Sequence, residues 1–540
     1  MIKIPMADYI KKRRILIIIG FVSVMAIAVF FRLWKLDSVP PGLYPDVAIN
    51  GNDALDTLAA KDFKLFYPEN NGREGLFMWL IALSFLIFGP SVWAIKIVAA
   101  VFGILTVLGL YFLTKELFFK VSGIRSLPIA LLAAFFLAIS FWHVNFSRIG
   151  FRAIMVPFFL VFGFYFLLRG FRCRKTLNFI FSGLFFGLGF YTYIAYRFVI
   201  FILGVVLVIK WFGFKKENKK ARKQYLLQAC FLIFFIFISG LPIAIYFLGH
   251  PNDFFGRAGG VSIFGQPNPL LELGKSFFRH LAMFNIRGDS NWRHNFSASP
   301  ALLWPVGIFF LIGFIICAVR IVKAVRKRDN AELAGYGLMF SWFFFMLASG
   351  FLSSEGAPHA LRTIGAIPVV YMFCAIGALW LFEKIRPFYK TRFQIAGLGA
   401  VIILFFGSIA CVQFDKYFLQ WAKNSEVKGA FSENYLRIGE HLNSLPDAIQ
   451  KYVVVNAAGV PVPWPDGLPM PAQTSMFLER AKYGRIRSAY LLPDELNQIK
   501  IEKGTIIALL QRDENLIRQL QDLFPDGKLI KQGEVLIYEI

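Results

Sequence analysis

The sequence predicts a polytopic α-helical membrane protein of about eleven spans, with a small α/β domain at its C-terminal end. Hydrophobic residues make up 57% of the 540 residues, and charged residues only 17%, against roughly a quarter in an average soluble domain. Apolar runs recur up to residue 412, whereas residues 414–540 carry 15 basic and 16 acidic residues and no long apolar run. This composition excludes a soluble enzyme, a disordered chain and a coiled coil.

The apolar runs set the number of predicted spans. A spanning helix needs about 20 apolar residues, and shorter runs can extend through snorkelling basic ends. The eleven runs that qualify are 15–31, 91–114, 127–141, 153–168, 177–191, 198–212, 225–247, 301–319, 333–352, 363–382 and 393–412. The further run 75–89 is short, and we interpret it as a helix that lies at the outer interface or re-enters it; the alternative is a twelfth span. Long outer loops are predicted at 32–90 and 248–300.

Under this topology, the distribution of the net charge of +25 indicates the orientation of the chain in the membrane. The six segments placed in the cytoplasm carry 28 Lys and Arg residues, and the longer outer loops between spans carry 14. Because basic residues are enriched on the cytoplasmic side, we expect a multi-pass protein of the plasma or inner membrane with a cytoplasmic N-terminus. The basic excess therefore gives no indication of a nucleic-acid partner.

Two domains are predicted. Residues 1–413 form the transmembrane domain, and residues 414–540 form an extracytoplasmic α/β domain. Within the latter, 452–455, 505–510 and 535–540 resemble strands, and the stretches 435–445 and 516–524 have helical apolar spacing.

Acidic residues concentrate in the first outer loop and are absent from all eleven predicted spans. The absence argues against an ion-coupled transporter, which needs intramembrane ionisable groups. Asp46 stands at the start of a predicted helix. Its carboxylate is either a helix N-cap or a general base at the membrane surface.

The outer loops also hold candidate substrate ligands. Arg suits bidentate binding of a phosphate, and Tyr suits stacking on a sugar; the alternatives are snorkelled anchors and an aromatic belt. The candidates for binding a lipid phosphate and a sugar are Arg73, Glu74, Arg148, Arg152, Tyr191, Tyr193, Arg197, Glu355, His359 and Arg362.

Several short stretches in these loops resemble a known superfamily. They are Gly42-Leu43-Tyr44-Pro45-Asp46, Asn70-Asn71-Gly72-Arg73-Glu74-Gly75-Leu76-Phe77, Phe88-Gly89-Pro90-Ser91-Val92-Trp93-Ala94, Ser147-Arg148-Ile149-Gly150-Phe151-Arg152, Tyr191-Thr192-Tyr193 and Pro358-His359-Ala360-Leu361-Arg362-Thr363. In order and spacing they resemble the GT-C membrane glycosyltransferases, in particular the dolichyl-phosphate-mannose protein mannosyltransferase and aminoarabinose transferase group. The resemblance covers roughly residues 10–412, and the C-terminal domain resembles nothing we can name.

The resemblance implies an inverting transfer of a sugar from a polyprenyl-phosphate donor to an acceptor hydroxyl on the outer face of the membrane. The acceptor would be a protein, a lipid or a glycan. Asp46 occupies the position of the family's essential aspartate, and the family carries a basic residue near the position of Arg73. Arg152 stands where the aminoarabinose transferases carry a second aspartate, so a metal bridging two acids is in doubt and a divalent metal stays an open alternative. The rival hypothesis is a non-catalytic membrane protein, either a lipid or polysaccharide transporter or a binding scaffold with a degenerate site.

Overall fold

The chain divides into two compact units. The computed structural model describes residues 6–122, 126–213, 219–464, 466–502, 504–532 and 535–540. One unit comprises Met1–Trp34 and Ala99–Leu419, and the other comprises Lys35–Val98 and Gln420–Ile540. Parts of the basic segments predicted to be cytoplasmic, at 1–5, 123–125 and 214–218, lie outside the described residues. The predicted boundary at residues 413 and 414 stays a prediction.

The regular secondary-structure elements in the described part of the first unit are all helices. Its α-helices are Met6–Leu33, Ser126–Ile139, Phe141–Phe146, Met155–Cys173, Thr176–Leu188, Val199–Phe212, Lys219–Gly249, Pro251–Gly260, Pro269–Ala282, Trp304–Lys327, Asn330–Phe351, Ile367–Ile385 and Arg392–Phe414, to which the helix Val92–Ser122 adds its part after residue 98. Short 3-10 helices are Arg152–Ile154, Gly189–Tyr191, Ile194–Phe198, Ile263–Gly265, Ile364–Ala366 and Arg386–Phe388, and a π-helix, Asp415–Trp421, follows the last long helix.

Nine stretches of helix among the described residues are long and apolar enough to cross a membrane. They are Ile15–Leu33, Val92–Phe119, Arg152–Cys173, Ile194–Phe212, Lys219–Gly249, Trp304–Lys327, Asn330–Phe351, Ile364–Phe388 and Arg392–Trp421. Two of the eleven predicted spans correspond to the shorter apolar helices Ser126–Ile139 and Thr176–Tyr191. The predicted polytopic helical membrane fold is therefore confirmed, with nine full-length candidates rather than eleven.

Glycines bring two of the long helices into backbone contact. A Cβ atom at Gly313 would lie 1.9 Å from the carbonyl oxygen of Phe373, and one at Gly377 would lie 2.0 Å from that of Phe309. In a membrane, where lipid tails are as apolar as leucine, such close approach supplies the van der Waals packing that holds helices together. The pair Trp304–Lys327 and Ile367–Ile385 can therefore tolerate no side chain at this crossing.

The second unit contains the first outer loop and the C-terminal segment. Its α-helices are Pro45–Ala60, Leu76–Phe88, Ser425–Ala430, Glu433–Ser444, Ala472–Tyr483 and Glu514–Leu523, and Pro493–Gln498 is a 3-10 helix. The helix Leu76–Phe88 has 13 residues, which at 1.5 Å per residue cover about 20 Å, short of a hydrocarbon core of about 30 Å. The interfacial or re-entrant placement stays a prediction, because the helices Ser126–Ile139 and Thr176–Leu188 in two predicted spans are similarly short, at 14 and 13 residues.

A five-stranded sheet forms the centre of the C-terminal segment. Its order is Ala489–Leu491, Lys451–Val454, Ile506–Leu509, Val535–Glu539 and Lys528–Gln532, with the first three strands parallel and the last two antiparallel to their neighbours. Two further two-stranded pieces are Phe66–Tyr67 with Arg73–Glu74 and Pro461–Val462 with Leu468–Pro469. Apolar clusters cover both faces of the sheet. The predicted small C-terminal α/β region is confirmed.

Candidate functional site

Asp46 lies in the first turn of the helix Pro45–Ala60, whose N-cap residue is Tyr44. Asp46 is therefore not the cap, and the cap position has no side-chain hydrogen bond. The side chain is half-buried, and within the described residues no hydrogen bond or ion pair of its carboxylate is found. Because the first turn of a helix presents unpaired N–H groups and the positive end of the dipole, a negative charge is stabilised here without a cationic partner.

The other two acids of this helix are paired. Asp53 binds Arg73, with 2.5 Å between Oδ2 and Nη1, and Asp56 forms an ion pair with Arg480. Burial raises the pKa of Asp53, and the neighbouring Arg73 opposes that rise. Among the residues that the structure describes, Asp46 is thus the acid of this helix that remains available to another molecule.

Arg73 is enclosed within its own unit. The guanidinium is 1% exposed, donates to Asn50 Oδ1 at 2.9 Å as well as to Asp53, and lies over the ring of Tyr67. Its other terminal nitrogen, Nη2, is buried and has no hydrogen-bond partner in the described part of the chain. Arg73 thus keeps one donor group, while Glu74 beside it on the strand is buried.

The C-terminal segment fixes the helix that carries Asp46. Thr474 Oγ1 donates to the carbonyl oxygen of Leu43 at 3.0 Å, and Asn52 Nδ2 donates to Gln473 Oε1 at 2.9 Å. The backbone approach is close at Gly51, where a Cβ atom would lie 2.6 Å from a ring carbon of the helix Ala472–Tyr483. Both segments belong to one unit, so the C-terminal residues hold the first outer loop in place.

In the first unit, Arg148 is committed to the protein interior. It is fully buried, and it donates to the carbonyl oxygens of Phe31 at 3.0 Å and Trp34 at 2.7 Å. Its guanidinium also lies 5.0 Å from the ring centroid of Phe418. These contacts make Arg148 a clamp between the end of the first helix and the π-helix.

Arg152 and Arg197 are half-buried and lie against aromatic rings. Arg152 is 5.5 Å from the ring centroid of Tyr193, so the structure brings together two of the predicted ligands. Arg197 Nη1 donates to the carbonyl oxygen of Phe254 at 2.7 Å and lies 3.9 Å from its ring centroid. Tyr191 is buried, and its hydroxyl accepts from the backbone N–H of Ile243. Arg197 therefore anchors the start of the segment 248–300, which is predicted to be an outer loop.

The loop 353–363 brings together three of the predicted residues. Glu355 is exposed and forms an ion pair with Arg362, at 2.6 Å. His359 is half-buried, and its backbone N–H donates to Nε2 of His280 at 3.1 Å. Burial lowers the pKa of His280, and a neutral ring with its proton on Nδ1, donated to Ser276, satisfies both contacts.

Asp289 and His294 join His359 in a cluster that sequence reasoning missed. One possible ligand atom from each residue lies within 4.8 Å of the other two. Asp289 Oδ2 is 3.0 Å from His294 Nδ1 and 4.0 Å from His359 Nδ1. Within the described residues this group of carboxylate and imidazole ligands could hold a metal ion. The acid and the histidine within residues 289–294 could have suggested metal ligands from the sequence. Their closeness to residue 359 depends on the fold and could not be predicted in this way.

A second unpredicted pair is Arg32 with His143. Both are fully buried, and Arg32 Nη2 lies 2.8 Å from His143 Nδ1. Because arginine can only donate, Nδ1 accepts and the ring is neutral, which agrees with the lowered pKa that burial gives His143. Arg32 also donates to the carbonyl oxygen of Ala138 at 2.8 Å, so the pair joins helices.

Comparisons with known proteins agree with this fold. Residues 76–241 match the family model described as dolichyl-phosphate-mannose-protein mannosyltransferase. No curated protein sequence matches the chain. The predicted resemblance to GT-C membrane glycosyltransferases is confirmed by this match together with the shared fold described next.

Two solved structures share the fold. ArnT from Cupriavidus metallidurans, bound to undecaprenyl phosphate, has a TM-score of 0.54 at 12% identity, and the match covers 96% of this chain and 97% of that one. The oligosaccharyltransferase AglB from Archaeoglobus fulgidus, in complex with an inhibitory peptide and a dolichol-phosphate, has a TM-score of 0.51 at 16% identity. That match covers 88% of this chain but 65% of AglB, so this chain spans less than two thirds of the archaeal protein's length.

Proposed function

We propose that the protein transfers a sugar, with inversion, from a polyprenyl-phosphate carrier to an acceptor hydroxyl on the outer face of the membrane. The observation that carries the proposal is Asp46. Its carboxylate is half-buried, has no partner in the described chain, and lies at the start of a helix that the C-terminal segment holds in place. The family match to residues 76–241 supports the class of reaction.

In the proposed reaction, Asp46 is the general base. The carboxylate takes the proton of the acceptor hydroxyl while that oxygen attacks the anomeric carbon. The bond between the anomeric carbon and the phosphate oxygen breaks, and the lipid phosphate leaves with the electron pair. A single displacement of this kind inverts the anomeric configuration, and the proton ends on Asp46.

The phosphate can leave without a proton, but its negative charge must be stabilised by positively charged groups. Fixed hydrogen-bond donors that point at developing negative charge stabilise the transition state strongly in many enzymes. Within the unit that carries Asp46, we assign this role to Arg73, whose Nη2 is buried and has no hydrogen-bond partner in the described part of the chain. Arg148 and Arg197 are held by backbone carbonyls, so their contribution is to position the loops that carry them. The first unit has its own proposed substrate ligands, namely Arg152 beside Tyr193 and Arg362 beside Glu355.

The partners and the placement follow from the same proposal. The relatives are named with dolichol-phosphate and undecaprenyl phosphate, so a polyprenyl phosphate is the proposed donor lipid here; the acceptor is a protein, lipid or glycan. The proposed orientation has a cytoplasmic N-terminus, and residues 414–540 as an extracytoplasmic domain. A divalent metal is a separate proposal, and no step of the transfer depends on it.

Asp46→Asn tests the assignment. The variant should bind the lipid donor but lose transfer by about 10²–10⁴-fold, the contribution of a positioned base. Purified protein in detergent is incubated with polyprenyl-phosphate sugars and a panel of acceptors, and donor loss and product are followed by mass spectrometry. The exposed acid Asp62 provides the control, since Asp62→Asn should keep full activity.

The rival function has one feature of the sequence in its favour, because the resemblance implies that Arg152 stands where the aminoarabinose transferases carry a second aspartate. A scaffold with a degenerate site would bind the lipid but turn over no donor in wild type or in either variant. Turnover by wild type with full retention in Asp46→Asn would leave the enzyme class intact and remove Asp46 as the base.

A further inference from the structure

We propose that Asp289, His294 and His359 bind one divalent transition-metal ion, for which zinc is the natural probe. The inference rests on the geometry of these three side chains and stands independently of the transfer reaction proposed above. The residues come from two separate stretches of the first unit, so the ion would link 283–303 to the loop 353–363.

The donor set selects the type of ion. Two imidazoles and one carboxylate are ligands that zinc and other borderline divalent metals accept, whereas magnesium and calcium favour oxygen ligands alone. Three protein ligands with a fourth position open is the arrangement of reactive zinc sites, and structural zinc sites have four. The partial exposure of His359, with Asp289 and His294 buried, leaves one side for water or a ligand.

The distances fit an ion after a small adjustment. In a tetrahedral site, bonds of 2.0–2.2 Å place neighbouring ligand atoms about 3.3–3.6 Å apart. The atoms Asp289 Oδ2 and His294 Nδ1 are already 3.0 Å apart, and Oδ2 is 4.0 Å from His359 Nδ1. One ligand atom from each residue lies within 4.8 Å of the other two, so His359 needs to approach by up to about 1.5 Å.

Surrounding hydrogen bonds hold the ligands in this arrangement. Asp289 Oδ1 accepts from the backbone N–H of Asn291 and Oδ2 from that of Ala360, each at 2.8 Å, and a carboxylate oxygen has a lone pair left for a metal. His280 accepts from the backbone N–H of His359. Outer partners that fix the position of metal ligands are worth 10–100-fold in metal affinity, and these hydrogen bonds fix Asp289 and the loop that carries His359.

The competing explanation is a hydrogen-bonded carboxylate and imidazole that never binds metal. The two explanations differ in what purified protein does when stripped with a chelator and titrated with Co²⁺ or Zn²⁺. A metal site gives saturable binding of one ion per chain by calorimetry, with visible d–d absorption bands for Co²⁺ and no comparable binding of Mg²⁺. No saturable binding by the wild type, or equal affinity for Mg²⁺, would overturn the proposal.

Variants locate the ion. His359→Gln leaves the hydrogen bonds of Asp289 in place, so it should fold while losing affinity for zinc by more than about 100-fold; His280→Gln should lose about 10–100-fold. His250→Gln, which changes an exposed histidine of the same unit, should bind zinc as the wild type does. If His359→Gln and His250→Gln bind with the same affinity, the ion is held elsewhere and the assignment fails.

Discussion

The buried pair of Arg73 and Asp53 makes the sharpest prediction about stability. Arg73→Met removes a guanidinium that is 1% exposed and leaves Asp53 charged in a site where its side chain is 16% exposed. Removing one partner of a buried ion pair costs about 3–5 kcal/mol. At 2–4 °C per kcal/mol for a unit of this size, the apparent Tm should fall by roughly 6–20 °C.

The pH dependence of that loss follows from the pKa of Asp53. Burial raises this pKa and Arg73 opposes the rise, so the variant keeps the largest raising cause and loses the main lowering one. A carboxyl group whose folded-state pKa lies above its unfolded value of about 3.9 stabilises the fold at low pH and loses this contribution as pH rises through the folded pKa. The penalty of Arg73→Met should therefore be larger at about pH 8 than at about pH 5.

A double variant separates the lost pair from the stranded charge. Arg73→Met with Asp53→Asn removes both charges and should regain most of the stability lost by Arg73→Met. Lys64→Met, which removes an exposed cation near Asp53, is the control and should change stability by less than about 1 kcal/mol. Apparent Tm is measured by intrinsic fluorescence of detergent-purified protein at both pH values. Equal Tm for the single and double variants, with no dependence on pH, would refute the reasoning.

Three further predictions concern packing. Gly377→Val should destabilise the protein by at least about 1–3 kcal/mol, because a backbone carbonyl of the adjacent helix lies 2.0 Å from the new Cβ; Gly397→Val, with open space around it, should leave Tm in detergent unchanged. Gly51→Val should lower Tm and sugar transfer together, since it pushes the C-terminal helix from the first outer loop, while Gly429→Ala at an open position should alter neither. Arg197→Gln should speed limited proteolysis within residues 248–265 by freeing the carbonyl it binds, and unchanged cleavage would contradict its anchoring role.

Much of the fold was predictable because lipid imposes strong rules on sequence. Long apolar runs have few alternatives to spanning helices, and the strands predicted at 452–455, 505–510 and 535–540 correspond to Lys451–Val454, Ile506–Leu509 and Val535–Glu539. The strand Lys528–Gln532 and the helix Ala472–Tyr483 were missed. The helix is weakly amphipathic because it is buried on more than one side, by Phe477 against the first loop and by Ala472 in the domain core.

The arginines show where local sequence stops being informative. Arg148 and Arg152 stand four residues apart in one loop, and the sequence assigns both to a lipid phosphate. Arg148 meets backbone carbonyls from residues more than a hundred positions away, whereas Arg152 lies at a half-buried position against Tyr193. Whether a guanidinium faces a ligand or a carbonyl depends on these long-range contacts, which spacing does not encode.

The acids of the first loop also differ in the long-range contacts of their side chains, and this difference supports the assignment of Asp46. Asp53 and Asp56 each have an arginine, so their replacement removes an interaction that the fold uses. Asp46 has none among the described residues, and removing its charge should cost only its interaction with the helix dipole, about 0.3–1 kcal/mol. If the free energy of unfolding of Asp46→Asn falls by no more than that range while transfer falls by orders of magnitude, the carboxylate is present for chemistry. A loss of several kcal/mol in the free energy of unfolding of the same variant would mean instead that Asp46 is structural.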